Sequence, residues 1–217
     1  MGFDTLFQIS IILLFLLFVF LVLIASVGFF FYLEVKWVIL PLLYYYRGRK
    51  AIYSDSSSDK SKEHIAIIVI IYKFKSYGPL FFLKNIFVYC SGVELLKEGF
   101  EEQHKPYIIY RCSSPKDVKE VIKIKEADKV WIIGHGFKHG ISFGKERLYY
   151  CDLEKCYKKS YIMQLHCNEY GGRSLIDYLC ETKESKEKSF VCDCTRDFYE
   201  NREFIQKILE KMRKKEF

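Results

Sequence analysis

The chain has 217 residues, half of them hydrophobic, with eight cysteines and a formal net charge of +7 at pH 7. That length leaves room for one ordinary domain and an appendage. The basic surplus comes with 27 Asp and Glu interspersed among the lysines and no nucleic-acid motif. It describes a solvated surface near anionic lipid, which argues against nucleic-acid binding.

Residues 6–33, "LFQISIILLFLLFVFLVLIASVGFFFYL", carry no charge and only Gln8, Ser10 and Ser26 as polar interruptions. A bilayer is crossed by about 20 apolar residues, so this run is long enough to span with some tilt. A signal peptide fits poorly: the apolar stretch is too long, no basic residue precedes it, and no small-residue cleavage site follows. Trp37 to Tyr46 is too short for a second pass and contains Pro41, and its rings suit the headgroup level. Residues 1–46 therefore read as a transmembrane anchor with an interfacial aromatic segment. Arg47, Arg49 and Lys50 follow it, whereas only Asp4 precedes it. By the positive-inside rule the N-terminus lies outside and the rest is cytoplasmic. Scattered cysteines in a reducing cytosol would remain thiols.

Residues 47–63 contain the polar, low-complexity "SDSSSDKSKE" and read as a flexible tether. The domain then runs from 64 to 217, about 150 residues, enough to bury a core. Its continuous β-branched run at 65–74 predicts a strand covered on both faces. Further strands are expected at 107–111, 129–134, 161–166 and 189–193. Residues 75–104 read as aromatic-rich helical material broken at Cys90-Ser91-Gly92. Ser114 with Pro115 opens a helix expected to continue to 127. Helices are also expected at 172–181 and 195–215, the last with an apolar stripe of Phe198, Ile205, Ile208, Leu209 and Met212. Alternating strands and helices predict an α/β domain: a mainly parallel sheet with helices on both faces.

Working sites of open α/β sheets lie outside the carboxyl ends of the strands. His135 ends the strand "KVWIIG" and Cys167 ends "YIMQLH", 32 residues later. Adjacent parallel strands would bring the two to one edge. Gly136, Gly171 and Gly172 beside them would let a substrate backbone approach and free amides for an oxyanion.

"WIIGHG" followed by "YIMQLHCNEYGG" resembles the caspase-fold cysteine peptidases, a group that includes gingipains, clostripain, separase and the CHAT domains. The similarity is greatest to CHAT-type domains, whose cysteine is followed by glycine, a helix, and a short strand leading into a last helix. It covers residues 64–217. The resemblance implies a caspase-like three-layer sandwich and a cysteine endopeptidase acting on a protein or peptide substrate. Cys167 would be the nucleophile forming a thioester, and His135 would assist proton transfer, chiefly to the leaving amine. Backbone N–H groups of Gly136 and Cys167 would hold the oxyanion. No metal or organic cofactor is implied. Members of the group often select a charged side chain before the cleaved bond, and Asp193 at a strand end is a candidate acidic pocket residue. His166 departs from the small residue usual before the nucleophile, and alternation along a strand predicts that it faces the other way.

His139-Gly140 is a second histidine–glycine pair, four residues beyond the first. Cys151-x4-Cys156 and Cys192-x-Cys194 lack the tight spacing of zinc knuckles and read as buried small side chains. "GHG" is too short for a dinucleotide loop, and no G-x-S-x-G is present. A rival of a different class is an inactive, membrane-tethered α/β module that binds a partner at the same sheet edge. The sequence leaves the oligomeric state open.

Overall fold

The computed structural model describes residues 3–54, 59–73, 75, 78, 81–166, 173–191 and 197–214. Two compact units divide the chain, residues 1–43 and 44–217.

The first unit is helical. It comprises α1 (Phe3–Glu34), a π-helical turn (Val35–Ile39) and the start of α2 (Leu40–Ile52). Described side chains such as Leu16, Phe20, Phe29 and Phe31 are exposed. By length and composition this is a helix able to cross a membrane. Ser26 donates its hydroxyl to the Val22 carbonyl four residues back, 2.8 Å away, so even this polar side chain is satisfied within the helix.

The second unit is a three-layer α/β domain. Its core is a five-stranded sheet in the order β2-β1-β3-β7-β8, parallel throughout. The strands are β1 (Ile65–Ile70), β2 (Tyr107–Cys112), β3 (Lys129–Ile133), β7 (Tyr161–Leu165) and β8 (Phe190–Val191). Every residue of β1 and β7 is buried, as expected when both faces are covered. On one face lie α3 (Phe81–Cys90), α4 (Val93–Glu102) and α8 (Phe198–Arg213). Phe100 of α4 meets Trp131 edge-on at 5.4 Å. On the other lie α5 (Pro115–Ile122), α6 (Leu175–Leu179) and a small antiparallel sheet. That sheet is β4 (Gly136–Phe137), β5 (Gly140–Phe143) and β6 (Glu146–Tyr149). A short α7 (Lys183–Lys188) precedes β8.

The helix starts are set locally. Ser114 and Asp117, Ser174 and Asp177, and Asp197 and Glu200 each form a capping box that satisfies amides of the first turn. The break between α3 and α4 falls at Ser91-Gly92, with Gly92 left-handed at φ 94°, a conformation a side chain would strain.

The boundaries differ from expectation in physically specific ways. β1 stops at Ile70 and not at residue 74, because the Asn85 side chain captures both backbone groups of Tyr72. Its Oδ1 accepts the Tyr72 N–H and its Nδ2 donates to the Tyr72 carbonyl, each at 2.9 Å. α5 ends at Ile122 and not at 127; the Ile124 carbonyl instead accepts the Lys159 ammonium at 2.8 Å. The tether expected over 47–63 is helical to Ile52, and Gly48, Ala51 and Ile52 are buried. A Cβ on Gly48 would run into the Tyr89 carbonyl, so only glycine allows this approach. Tyr44 and Tyr45, placed at the headgroups by composition, pack within the domain. Tyr45 meets Tyr89 at 5.2 Å, and the Arg202 guanidinium lies 3.6 Å over the Tyr44 ring. Arg202 also closes a buried ion pair with Glu94 at 2.5 Å.

Candidate active site

In a 2-1-3 strand order the chain reverses direction across the sheet between β1 and β3, and in open α/β sheets ligands ordinarily bind at the carboxyl ends beside such a switch point. Tyr72 follows β1 and His135 follows β3, so the two flank it. The Tyr72 hydroxyl accepts the His135 backbone N–H at 2.8 Å. Gly134 is required just before: a Cβ there would sit 2.7 Å from Cβ of Ile70.

The His135 ring is held among aromatics, 4.6 Å from Phe87 and 5.4 Å from Tyr72 between centroids. Its Nε2 is buried and has no hydrogen-bond partner among the described residues. Burial pushes the imidazole pKa down to about 4, and the Lys84 ammonium nearby adds to this, while a hydrogen bond with the Lys84 backbone opposes it. At neutral pH the ring is therefore uncharged. A neutral imidazole can accept a proton but does not favour a resting thiolate–imidazolium pair.

Gly136 opens β4 and pairs with Ile141. The Ser142 N–H donates to the His135 carbonyl at 3.0 Å, which makes Gly136–Ile141 a wide pair of the antiparallel ladder. The Gly136 N–H then points away from β5. That amide is not spent on the hairpin, as an oxyanion donor requires.

His139 sits elsewhere. With Lys138 it forms the two-residue turn between β4 and β5, left-handed at φ 65°. It lies at a hairpin tip and not at the end of a core strand.

Cys167 and Asp193 fall outside the described residues, as do Gly171 and Gly172. The strand leading to Cys167 is described. β3 and β7 pair with a constant offset of 32, from Lys129 with Tyr161 to Ile133 with Leu165. Positions 135 and 167 share that offset. His166 is buried and follows Gln164 on one face of β7; its ring lies 6.1 Å from that of Tyr150. Gln164 donates to the Tyr150 hydroxyl at 3.1 Å. Trp131 and Ile133 occupy the opposite face with His135.

One expectation at this edge is corrected. The helix expected directly after the cysteine, at 172–181, spans Leu175–Leu179, and Asp177 Oδ2 accepts the Ser174 N–H at 2.7 Å just before it.

Sequence reasoning missed Tyr72, Asn85, Phe87 and Lys84. The only signal was the Tyr72 ring ending an otherwise aliphatic run. Cys90 and Cys112 are buried, and desolvation pushes their thiols up to about 11 and about 12, so both are unreactive at neutral pH. Cys151 is the exposed thiol among the described cysteines. No protein-family model matches the chain, and a comparison with curated proteins gives no match, so the site has to be read from its own geometry.

Proposed function

We propose that this is a single-pass membrane protein carrying a cytoplasmic caspase-like, CHAT-type cysteine endopeptidase domain. Cys167 attacks the peptide carbonyl to form a thioester. The neutral His135 takes the thiol proton and returns it to the leaving amine. The Gly136 and Cys167 amides hold the oxyanion, and the reaction draws on no metal or organic cofactor. The observation that carries this reading is the unpartnered Nε2 of His135, buried at the carboxyl end of β3. Buried polar atoms ordinarily have a partner, and the β3–β7 offset of 32, if continued two residues beyond the strands, would bring position 167 beside His135. The orientation follows from Arg47, Arg49 and Lys50 after the apolar helix against Asp4 before it.

One observation favours a non-catalytic binding module at the same edge: Phe87 and Tyr72 crowd the imidazole on two sides. Alkylation rates separate the two. In the full chain with Cys151→Ser, a peptidase alkylates faster at Cys167 than at any other cysteine, and His135→Ala slows that reaction. A Cys167 rate no faster than the rest and indifferent to His135 leaves the binding module.

A further inference from the structure

Burial rises along α3. Phe82 and Leu83 are exposed, Phe81 and Ile86 are half-buried, and Val88, Tyr89 and Cys90 are buried. Its last turn belongs to the core, while its first turn presents two large apolar side chains to the surroundings. Single exposed apolar residues are ordinary on a protein surface, but this pair is not isolated. The Phe82 ring lies 6.5 Å from that of Tyr45, which also meets Tyr89 at 5.2 Å. The start of α3 is thus packed beside the residues that open the domain.

Three observations say what covers this face. The first is chain continuity. The domain unit begins at Tyr44, directly after Leu43. Trp37, Val38, Ile39, Leu42 and Leu43 are exposed, so the apolar surface of the anchor runs on past Glu34 and Lys36 to the last residue before the domain. If the anchor spans a bilayer, lipid has to cover these side chains too, and the interfacial layer reaches Leu43. Tyr45 lies two residues further on, about 3 Å at helical rise, and Phe82 meets its ring.

The second observation is charge. Between Ile65 and Val93 the sequence holds Lys73, Lys75 and Lys84 and no acid, and Lys73 and Lys75 are exposed. Lysines close to an anionic leaflet each strengthen binding to it. A second copy of the chain would bring the same three cations to a self-complementary interface, so charge favours lipid over a partner copy. The third is residue type. Large apolar side chains on a helix flanked by lysines suit the boundary between headgroups and acyl chains, where such a face sinks about 5–10 Å.

We propose that the start of α3 is a second membrane contact, with Phe82 and Leu83 seated in the headgroup layer of an anionic bilayer and Lys73, Lys75 and Lys84 beside them. The proposal rests on the membrane-anchor reading and not on the peptidase reading. The same helix carries Asn85 to Tyr72 and Phe87 to His135, so the contact holds that end of the sheet close to the lipid.

The test is quenching of a surface tryptophan by bromine in the full chain, reconstituted in vesicles of equal parts phosphatidylserine and chain-brominated phosphatidylcholine, with unbrominated vesicles as reference. Trp37→Phe removes the tryptophan of the apolar unit and leaves Trp131, which is buried and gives a constant background. In that background Leu83→Trp should lose emission to bromine. Tyr157→Trp, at an exposed ring before β7 and so at the opposite end of the sheet, should not. Both replace exposed side chains, and an unchanged melting temperature shows that the variants fold. Lys73→Gln with Lys75→Gln should lower the docked-to-free ratio about tenfold or more, at roughly fivefold per lysine, and restore the Leu83→Trp emission. Phe20→Trp, inside the apolar run, reports the anchor. Quenching of Phe20→Trp without quenching of Leu83→Trp leaves the anchor standing and overturns the docking proposal. Quenching of neither overturns both. Leu83→Trp quenched no more than Tyr157→Trp overturns the docking proposal as well. So does an unquenched Leu83→Trp in a chain whose detergent-solubilised dimer becomes a monomer in Phe82→Ser/Leu83→Ser, which gives the face to a second copy.

Discussion

At its carboxyl end the sheet closes over an uncharged imidazole with Tyr72 and Phe87, whereas at its amino end it opens into a cleft where lysines such as Lys129 and Lys159 mix with acids such as Asp128 and Glu181. The two lie about 20 Å apart along β3, at a rise of about 3.3 Å per residue. Folding leaves Nε2 of His135 buried without a partner among the described residues at one end, whereas Lys129 is exposed to water at the other. Their environments set what each can do. Enclosure removes charge from the histidine, while the strand start at Lys129 stays in contact with water.

The largest effect should come from Cys167, the nucleophile of the proposed peptidase. Cys167→Ala in the full chain should lower cleavage of a fluorogenic peptide library by about a thousandfold or more, since no covalent step remains. The melting temperature should stay near that of the parent. Cys90→Ala should cleave normally, because its buried thiol is protonated at neutral pH. Parent-level cleavage by Cys167→Ala would break the contrast at its reactive end.

Next in size is the brace beneath the histidine. Asn85→Ala strands the buried N–H and C=O of Tyr72 and should cost about 2–4 kcal/mol in denaturant unfolding, at roughly 1–3 kcal/mol per orphaned group. Tyr72→Phe removes one acceptor, that of the His135 amide, and should cost about 1–3 kcal/mol. Equal stability in both variants would show that solvent reaches this end of the sheet.

This brace is also where the sequence was least legible. β1 and β7 announce themselves because a strand buried on both faces must be aliphatic throughout. The start of α5 is equally plain in Ser114-Pro115, since capping is local chemistry. Asn85, by contrast, meets Tyr72 across 13 residues, and nothing in its neighbourhood distinguishes it from a solvated asparagine on a helix. The hairpin β4–β6 was missed because strands of two to four residues are too short to show alternation. Residues 47–52 were placed with the tether because Arg47, Arg49 and Lys50 mask the face formed by Gly48, Ala51 and Ile52. At the candidate site, His135 and the offset of 32 could be read from the strand ends. The aromatic enclosure that sets its pKa comes from α3 and could not.

A smaller effect should follow from pH. The folded pKa of His135 is lowered to about 4 from an unfolded value of about 6.5. Between those values the unfolded chain binds the extra proton, so stability contributed by this residue is complete above about pH 6.5 and is lost as pH falls toward 4. Allowing for its partial exposure, the loss should be about 1–2 kcal/mol. It would appear as a steeper acid limb in the parent than in His135→Ala when unfolding is followed between pH 7 and pH 4.5. Superimposable limbs would mean that water hydrates the imidazole, erasing the difference between the two ends of the sheet.

The smallest effect should come from the other histidine. His139 holds a left-handed backbone, φ 65°, at the tip of the β4–β5 turn, a conformation that costs a non-glycine residue about 1 kcal/mol. Glycine relieves that strain but loses more chain entropy on folding. The two terms nearly cancel, so His139→Gly should shift stability by less than about 0.5 kcal/mol. Its backbone carbonyl still accepts the Tyr150 amide, so the hairpin remains anchored. Cleavage should also be unchanged, because the turn lies beyond the edge where His135 meets the crevice. A large loss of cleavage in His139→Gly, with the melting temperature preserved, would move the working histidine from the strand end to the hairpin tip. The neutral, enclosed imidazole of His135 would then be a packing residue.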